Sequence, residues 1–428
     1  MRFNKETFIT GFALFSMFFG AGNLMLPPLL GFKAGDSWWL VLVGFLISAV
    51  FIPLLGIFAH AKLQGTMLDF AKKVSPTFSL IYGILIYIIS ITLPSPRTAS
   101  VTHEMAIQPF LEINSLTTSF FYFVLVLMFV LNRSRILSIL GKFLSPILFI
   151  VIVGIICIGI FSVGDPVINS SEFTTPFISG LLEGYQTFDA IGAVVVGGVI
   201  IISLKIKEDS SYDHLHRLLI RSGIIAGIGL FIIYAGMIYN GALFKSDFDT
   251  TITRTELLSG LSLKTLGSIG KTFLSILVGL ACFTTAVGIV TGTSDFVKGL
   301  CNNSQLAYKI TAIVGCILGV LMGQFDVHYI IDIAVPVLML IYPVTVILIM
   351  LNVISDTFTS VFVFRTVVIT TIIFSIPDCL KSLGVQGYNN QVLEVLPLGD
   401  YTLAWLLPSF FSFIFGNVLV RTKFVRTP

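Results

Sequence analysis

The chain has 428 residues, of which 56% are hydrophobic and 11% are charged, and its mean hydropathy is +0.99. Soluble domains carry roughly 25% charged residues, so this composition excludes a soluble globular protein and indicates a polytopic membrane protein. The net charge of +3 is too small to indicate a nucleic-acid partner, and the five cysteines lack the CxxC spacing of a metal site or disulfide framework.

Twelve apolar segments have the length of about 20 residues that a helix needs to cross a bilayer. They cover residues 8–30, 38–59, 78–100, 117–131, 143–163, 177–203, 219–241, 268–295, 307–323, 329–352, 359–377 and 400–420. The short connections leave no room for a soluble domain, which predicts one all-α transmembrane domain over 1–428. With the N-terminus inside, 18 of the 25 Lys and Arg residues are cytoplasmic. Both termini are therefore predicted to be cytoplasmic.

The first crossing is interrupted. Gly20-Ala21-Gly22-Asn23 lies in its middle, and Pro27-Pro28 follows. Gly costs about 1 kcal/mol and Pro about 3 kcal/mol in a helix interior, and unpaired amides in hydrocarbon are more costly still. Such a break is tolerated where it faces protein, water or a ligand, so the first crossing is predicted to be a binding element.

The sixth crossing is also abnormal, because Glu183, Gln186 and Asp189 recur in it at every third residue. Ionisable groups at membrane depth indicate a functional site. Two abnormal crossings five helices apart predict an inverted 5+5 repeat, with repeat one at about 8–163 and repeat two at about 177–352. Two extra helices follow at about 359–420. The alternative is that the glycines only allow close helix packing.

The eighth crossing contains Ala281, Thr284 and Thr285. A helical carbonyl keeps a second lone pair, so the Ala281 carbonyl and the two hydroxyls together offer neutral oxygen ligands to a small cation. A Thr-Thr pair alone more often bonds back to the preceding turn. The cation interpretation therefore depends on further oxygens from the break in the first crossing.

Five segments carry a resemblance to a known family. They are residues 11–28, 96–101 (Pro-Arg-Thr-Ala-Ser-Val), 183–190 (Glu-Gly-Tyr-Gln-Thr-Phe-Asp-Ala), 280–286 (Leu-Ala-Cys-Phe-Thr-Thr-Ala) and 336–343 (Pro-Val-Leu-Met-Leu-Ile-Tyr-Pro). In this order they resemble the branched-chain amino acid:cation symporters, the LIVCS or BrnQ-type carriers, of the amino acid–polyamine–cation superfamily. The resemblance implies a 5+5 fold with helices 1 and 6 broken and a place in the bacterial cytoplasmic membrane.

The resemblance also implies a sodium ion shared between helices 1 and 8. Its implied ligands are backbone carbonyls near Ser16 and Phe19, the Ala281 carbonyl, and the hydroxyls of Thr284 and Thr285. Asn23 resembles a ligand of a second, substrate-adjacent cation. No match in helix 6 places a partner for Asn23, so one sodium ion is expected rather than two.

The expected substrate is a zwitterion with an aliphatic side chain: leucine, isoleucine or valine. Backbone amides at Gly20, Ala21 and Gly22 are expected to bind its carboxylate, as helix N-termini bind anions. Carbonyls of the second break are expected to accept from its ammonium group, at Tyr185, Gln186, Thr187 and Phe188. The expected walls of the side-chain pocket are Phe19, Ile88, Ile91, Phe188 and Ile289.

These features predict a secondary symporter that imports branched-chain amino acids on a sodium gradient, and no nucleophile–base or metal constellation indicates an enzyme. We expect a monomer in membrane lipid, with sodium as the co-transported ion and no other cofactor. A proton-coupled carrier remains an alternative, with Glu183 or Asp189 titrating. A channel is disfavoured because no continuous polar lining is evident. Arg97 is expected to pair with Glu183 or Asp189, or to extend outward to the membrane surface.

Overall fold

Apolar runs of the predicted length fold as α-helices in the computed structural model, which describes residues 5–132, 136–162, 167, 171–195, 197–198, 212–385 and 388–422. No β-strand occurs within these ranges. An all-helical arrangement is the physical expectation for hydrocarbon, because a helix satisfies its backbone hydrogen bonds within one segment.

The helices of the first half are α1 (Lys5–Phe18), α2 (Ala21–Leu24), α3 (Leu26–Ala34), α4 (Trp38–Leu46), α5 (Ile52–Leu63), α6 (Met67–Ala71), α7 (Pro76–Thr92), α8 (Pro94–Thr102), α9 (Ser115–Asn132) and α10 (Ile136–Ser162). Those of the second half are α11 (Pro176–Glu183), α12 (189–195), α13 (Tyr212–Leu243), α14 (Arg254–Leu300), α15 (Gln305–Gly323) and α16 (Val327–Val353). The last three are α17 (Val361–Ser382), α18 (Tyr388–Val395) and α19 (Leu406–Arg421).

Eight helical stretches of the described residues are long and apolar enough to cross a membrane, and Pro146–Ser162 and Leu406–Arg421 are shorter apolar helices. The α-helix of the first predicted crossing is interrupted at 19–20 and again at Met25, and that of the sixth is interrupted at 184–188. A polytopic helical protein is thereby confirmed. The count of twelve crossings and the boundaries of the two repeats stay predictions, and the end of the sixth crossing at 199–203 lies outside the described residues.

Two predicted helix starts can be compared with the structure. The eighth crossing was expected to begin at 268, and Gly267, with φ +71°, separates a preceding helix at 254–266 from the long crossing. The twelfth was expected to begin at 400, but α19 begins at Leu406. A 3₁₀ turn at Gly399–Tyr401, flanked by Leu398 and Thr402 with positive φ, occupies the expected first turn.

The two breaks lie in different parts of the core. Phe18 and Phe19 of the first break belong to a hydrophobic cluster with residues of α3, α10, α13 and α14. Tyr185 and Phe188 of the second break belong to another cluster, with residues of α5, α7, α16 and α17. The two breaks therefore belong to two different hydrophobic clusters, both of which include residues of α5.

Candidate functional site

The first break consists of Phe19 and Gly20. Gly20 has an extended backbone (φ −87°, ψ 153°), and its amide donates to the Phe18 carbonyl at 2.9 Å instead of continuing the α-helix. The helical path resumes at Ala21, and α3 has Pro27 and Pro28 in its first turn, where proline is tolerated because those amides have no intrahelical partner. The predicted break is thus present, and it begins one residue before Gly20.

The second break follows Glu183, where α11 ends. Residues Gly184–Thr187 form a 3₁₀ turn, and Phe188 has a left-handed backbone (φ 61°, ψ 11°) before α12 begins at 189. Left-handed φ is uncommon for a bulky residue and persists only where its surroundings over-determine it. The interruption predicted between 183 and 189 is present in this form.

Asn23 and Asp189 join the two breaks. The Asn23 Nδ2 atom lies 2.9 and 3.0 Å from the two carboxylate oxygens of Asp189 and 2.9 Å from the Phe18 carbonyl. The Tyr234 hydroxyl lies 3.5 Å from the same carboxylate, which is buried. The partner that the sequence could not supply for Asn23 is therefore Asp189, which had been singled out separately as a membrane-embedded acid.

A cavity of about 190 Å³ lies between the breaks. An apolar cavity of about 150 Å³ is large enough to admit benzene, so this one has room for a small organic molecule. Its polar lining includes Asn23, Arg97, Thr98, Thr187, Asp189 and Thr285. Its apolar lining includes Tyr87, Pro94, Phe188, Ile191, Val195 and Ile289. It thus combines both charge signs with an apolar surface.

Only part of the expected pocket wall lies at this cavity. Phe188 and Ile289 line it, but Phe19 stacks on Phe15 with ring centroids 4.9 Å apart. Ile88 is half exposed on α7, and Ile91 is buried away from the cavity lining. The cause is the rotation of α7 about its axis. Because Tyr87 and Ser90 face the cavity, the neighbouring Ile88 and Ile91 lie on other sides of the helix.

The residues of the second break divide between the cavity and the core. Thr187 and Phe188 line the cavity. Tyr185 instead stacks on Tyr342, with ring centroids 4.1 Å apart, and Gln186 donates from its side chain to Glu183 at 3.0 Å. A direct substrate role of the Tyr185 and Gln186 carbonyls stays a prediction.

Arg97 occupies a position that the sequence did not anticipate. Its side chain is buried, its Nη1 donates to the Gln186 carbonyl at 2.8 Å, and its guanidinium lies 5.3 Å from the centre of the Phe188 ring. The expectation that Arg97 extends outward is wrong. Pairing with Glu183 or Asp189 is also wrong, since no ion-pair contact within 4.0 Å joins Arg97 to either described carboxylate. The guanidinium instead donates to the Gln186 carbonyl, which belongs to the second break.

Glu183 pairs with Arg254, at 2.8 Å, and both side chains are largely buried. Glu183 does not line the central cavity. Arg254 begins the helix before Gly267, so this ion pair connects α11 to α14. The two residues are 71 positions apart, and nothing in a single sequence relates such distant positions.

The oxygen atoms proposed for sodium lie on α1 and α14. Thr284 and Thr285 both donate to the Ala281 carbonyl at 2.9 Å, which is the back-bonding of Ser and Thr within helices. Thr285 lines the cavity, and a Cβ placed on Gly20 would lie 3.7 Å from its hydroxyl. Ser16 is half-buried and Phe19 is buried. The first break therefore approaches α14 at the predicted threonine.

Solved structures of membrane transporters share this fold. A substrate-bound, outward-open Na⁺-coupled sialic acid symporter has a TM-score of 0.62 at 14% identity, over 99% of this chain and 91% of that chain. Inward-facing Mhp1 has a TM-score of 0.62 at 11% identity, over 97% and 91%. MhsT in complex with L-phenylalanine has a TM-score of 0.55 at 14% identity, over 97% and 98%. At such identities the likeness is one of fold alone.

Sequence comparison identifies the family. Residues 3–423 match the family described as branched-chain amino acid transport protein, and the chain belongs to it. The branched-chain amino acid permease BraB of Bacillus subtilis is 33% identical over 426 residues, covering 97% of this chain and 95% of BraB. A putative branched-chain amino acid carrier protein of Staphylococcus aureus is 31% identical over 438 residues, covering 97% of each chain. The predicted family is confirmed, and the protein is a transporter rather than an enzyme.

Proposed function

We propose that this protein imports leucine, isoleucine and valine by symport with sodium through alternating access. The observation that carries the proposal is the central cavity, which lies between two interrupted helices and joins charged groups to an apolar wall. Interrupted crossings in corresponding positions are where secondary transporters bind substrate. The names of the relatives support branched-chain amino acids, and a Na⁺-coupled symporter among the similar structures supports sodium.

The backbone of the first break is proposed to bind the substrate carboxylate through the amides of Gly20, Ala21 and Gly22, where α2 begins. The second break, with Thr187 and Phe188 at the cavity, is proposed to contact the ammonium group and the first atoms of the side chain. A hydrophobic pocket discriminates one methylene by only about 1–3 kcal/mol. Leucine, isoleucine and valine should therefore share it.

Sodium is proposed to bind between α1 and α14. The carbonyls of Ser16, Phe19 and Ala281 and the hydroxyls of Thr284 and Thr285 are its proposed ligands. The proximity of Gly20 to Thr285 supports this site. Because a threonine hydroxyl that donates to Ala281 keeps its oxygen lone pairs, the observed hydrogen bonds leave both hydroxyls able to accept a cation.

Reconstitution in proteoliposomes tests the proposal. With an inward sodium gradient, labelled leucine should accumulate above its external concentration, and replacing sodium by choline should abolish the accumulation. Unlabelled isoleucine and valine should compete, whereas glutamate should not. Leucine accumulation that persists without sodium at constant pH would reject sodium coupling.

Proton coupling is the second candidate, because Asp189 is a buried carboxylate whose hydrogen-bond partners, Asn23 and Tyr234, are neutral. A carboxylate in such surroundings can gain and lose a proton as substrate binds. An inward proton gradient without sodium should then drive leucine uptake, and a protonophore that dissipates the gradient should abolish that uptake.

The remaining expectations concern the whole assembly. We propose twelve crossings built on a 5+5 inverted repeat, placed in the bacterial cytoplasmic membrane as a monomer with both termini inside. The cavity is lined by residues of two different hydrophobic clusters, with Phe18 in one and Phe188 in the other, which supports movement of one group of helices against the other.

A further inference from the structure

Two opposite charges line the central cavity without contacting each other. Arg97 lies on α8 and Asp189 begins α12, both are buried, and both contribute to the cavity wall. No ion pair within 4.0 Å joins these two described residues. By contrast, Glu183 and Arg254, which are also largely buried, form an ion pair at 2.8 Å. Arg97 and Asp189 thus line the same cavity without the direct contact that Glu183 and Arg254 make.

Arg97 has hydrogen-bonding capacity to spare. A guanidinium carries five N–H donors, and one of them bonds the Gln186 carbonyl. The Phe188 ring faces the guanidinium at 5.3 Å, which fixes its plane without using a donor. Arg97 lines the cavity, so its remaining N–H donors can bind a ligand there. A carboxylate matches the planar guanidinium because it accepts two parallel hydrogen bonds from it.

Among the described residues, no cationic side chain lies within 4.0 Å of the Asp189 carboxylate. Asn23 Nδ2 has two hydrogens, and it lies within hydrogen-bonding distance of both Asp189 oxygens, the Phe18 carbonyl and the Tyr234 hydroxyl. The Tyr234 hydroxyl donates to the same carboxylate at 3.5 Å. A carboxylate offers about four lone-pair sites, so two neutral donors leave it able to accept from a further donor. A buried carboxylate is stable when it is paired and hydrogen-bonded, and an ammonium group supplies both.

We propose that Arg97 and Asp189 recognise the two charges of a zwitterionic α-amino acid, with Arg97 binding the carboxylate and Asp189 the ammonium group. This inference rests on the proposed function and adds side-chain ligands to the backbone groups of the two breaks. The helix that carries Arg97, α8, contacts α2, whose first amides are proposed to bind the carboxylate. The apolar wall, with Ile191, Val195 and Ile289, then receives the aliphatic side chain.

Ligand analogues that lack one charge test each contact separately. Leucinamide keeps the ammonium group and lacks the carboxylate, and 4-methylpentanoate keeps the carboxylate and lacks the ammonium group. Inhibition constants are measured against leucine exchange in proteoliposomes of the full-length protein. With wild-type protein, each analogue should bind about 10- to 100-fold more weakly than leucine, the range expected for loss of a hydrogen bond to a charged group.

Arg97→Gln should weaken leucine about 10- to 100-fold and leave leucinamide unchanged, because leucinamide does not use the guanidinium charge. Arg97→Lys, which keeps the charge and loses the fork, should show a smaller loss for leucine. Asp189→Asn should weaken leucine and leucinamide and leave 4-methylpentanoate unchanged. A direct contact is indicated when a variant weakens only the ligands that carry the matching charge. A general loss of structure would weaken leucine and both analogues alike.

Arg254→Gln and Asp378→Asn are matched controls, since each removes a buried charge outside the cavity lining. Both should keep the wild-type ratio between leucine and each analogue. Equal weakening of leucine and leucinamide by both Arg97 variants would overturn the role of Arg97. An Asp189→Asn protein that discriminates leucine from 4-methylpentanoate as strongly as the wild-type protein does would overturn the role of Asp189. If wild-type protein does not exchange leucine, the proposed function fails instead, which is a different result.

Discussion

Two hydroxyls on α14 donate to one carbonyl, that of Ala281. This arrangement aligns the oxygens of Thr284 and Thr285 on neighbouring positions of the same helix turn. One of them, Thr285, also faces the first break. Such a back-bond satisfies a threonine hydroxyl in any membrane helix, as it does at Thr311. Two adjacent hydroxyls near the first break additionally offer neutral oxygen ligands to a cation.

Removing these hydroxyls should weaken sodium binding. Because a contact with a charged group contributes about 1.5–3 kcal/mol, Thr285→Ala should raise the sodium concentration for half-maximal leucine uptake by about tenfold, and the double variant with Thr284→Ala by more. Thr311→Ala is the matched control, since Thr311 makes the same back-bond, to Ala307 at 2.9 Å, and lies outside the cavity lining. Unchanged sodium dependence in the double variant would remove this ion site.

Residue types and spacing were sufficient to locate both breaks, because glycine, proline and membrane-depth acids each carry a local energetic cost. Residue types and spacing did not predict which residues of the two breaks contact each other. Asn23 and Asp189 were both recognisable as costly polar residues, yet their contact spans 166 positions in the chain. Such a contact is set by how the two groups of helices pack, which a single sequence does not encode in any periodicity.

Among whole elements, α14 contributes a face of small residues to the cavity. Gly288 and Gly292 line it, and a Cβ built on either meets nothing within 4 Å. Added side chains at these positions would therefore enter the cavity rather than collide with the protein. These two glycines therefore leave the cavity open along the face of α14 that also carries Thr285.

Gly288→Leu should fill part of the cavity and reduce leucine uptake to below a tenth of the wild-type rate, without impairing insertion or folding. Gly154→Leu on α10 is the control, because a Cβ there also meets nothing within 4 Å and Gly154 does not line the cavity. Uptake is measured together with the amount and melting temperature of the purified proteins. Normal uptake by Gly288→Leu would show that substrate does not pass this face.

The ion pair between Glu183 and Arg254 connects α11 to the helix that precedes Gly267. Its side chains are 18% and 14% exposed, respectively, so breaking it leaves a poorly solvated charge. Glu183→Gln and Arg254→Gln should each lower leucine uptake several-fold, and the exchanged pair Glu183→Arg with Arg254→Glu should recover part of it. An exchanged pair that performs worse than both single variants would argue against a direct role of this contact.

At the scale of the molecule, hydropathy was enough to predict a polytopic helical fold, since length and apolarity are properties of each segment alone. Hydropathy could not predict helices outside the crossings. The 254–266 helix is an example, because it lies between the predicted crossings 219–241 and 268–295 and is joined to the second of them at Gly267. The first turn of the twelfth predicted crossing was lost to a local 3₁₀ turn at 399–401.

The orientation of the whole chain rests on the excess of Lys and Arg in the predicted cytoplasmic connections, and it can be measured with cysteines at opposite ends of α14. Cys301 is exposed just after this helix, and Thr250 is exposed shortly before it. In a Cys157→Ser background, a membrane-impermeant maleimide should label Thr250→Cys in intact cells and should label Cys301 only after permeabilisation. Cys301→Ser should remove the second signal. Labelling of Cys301 in intact cells, with Thr250→Cys protected, would reverse the predicted orientation of both termini.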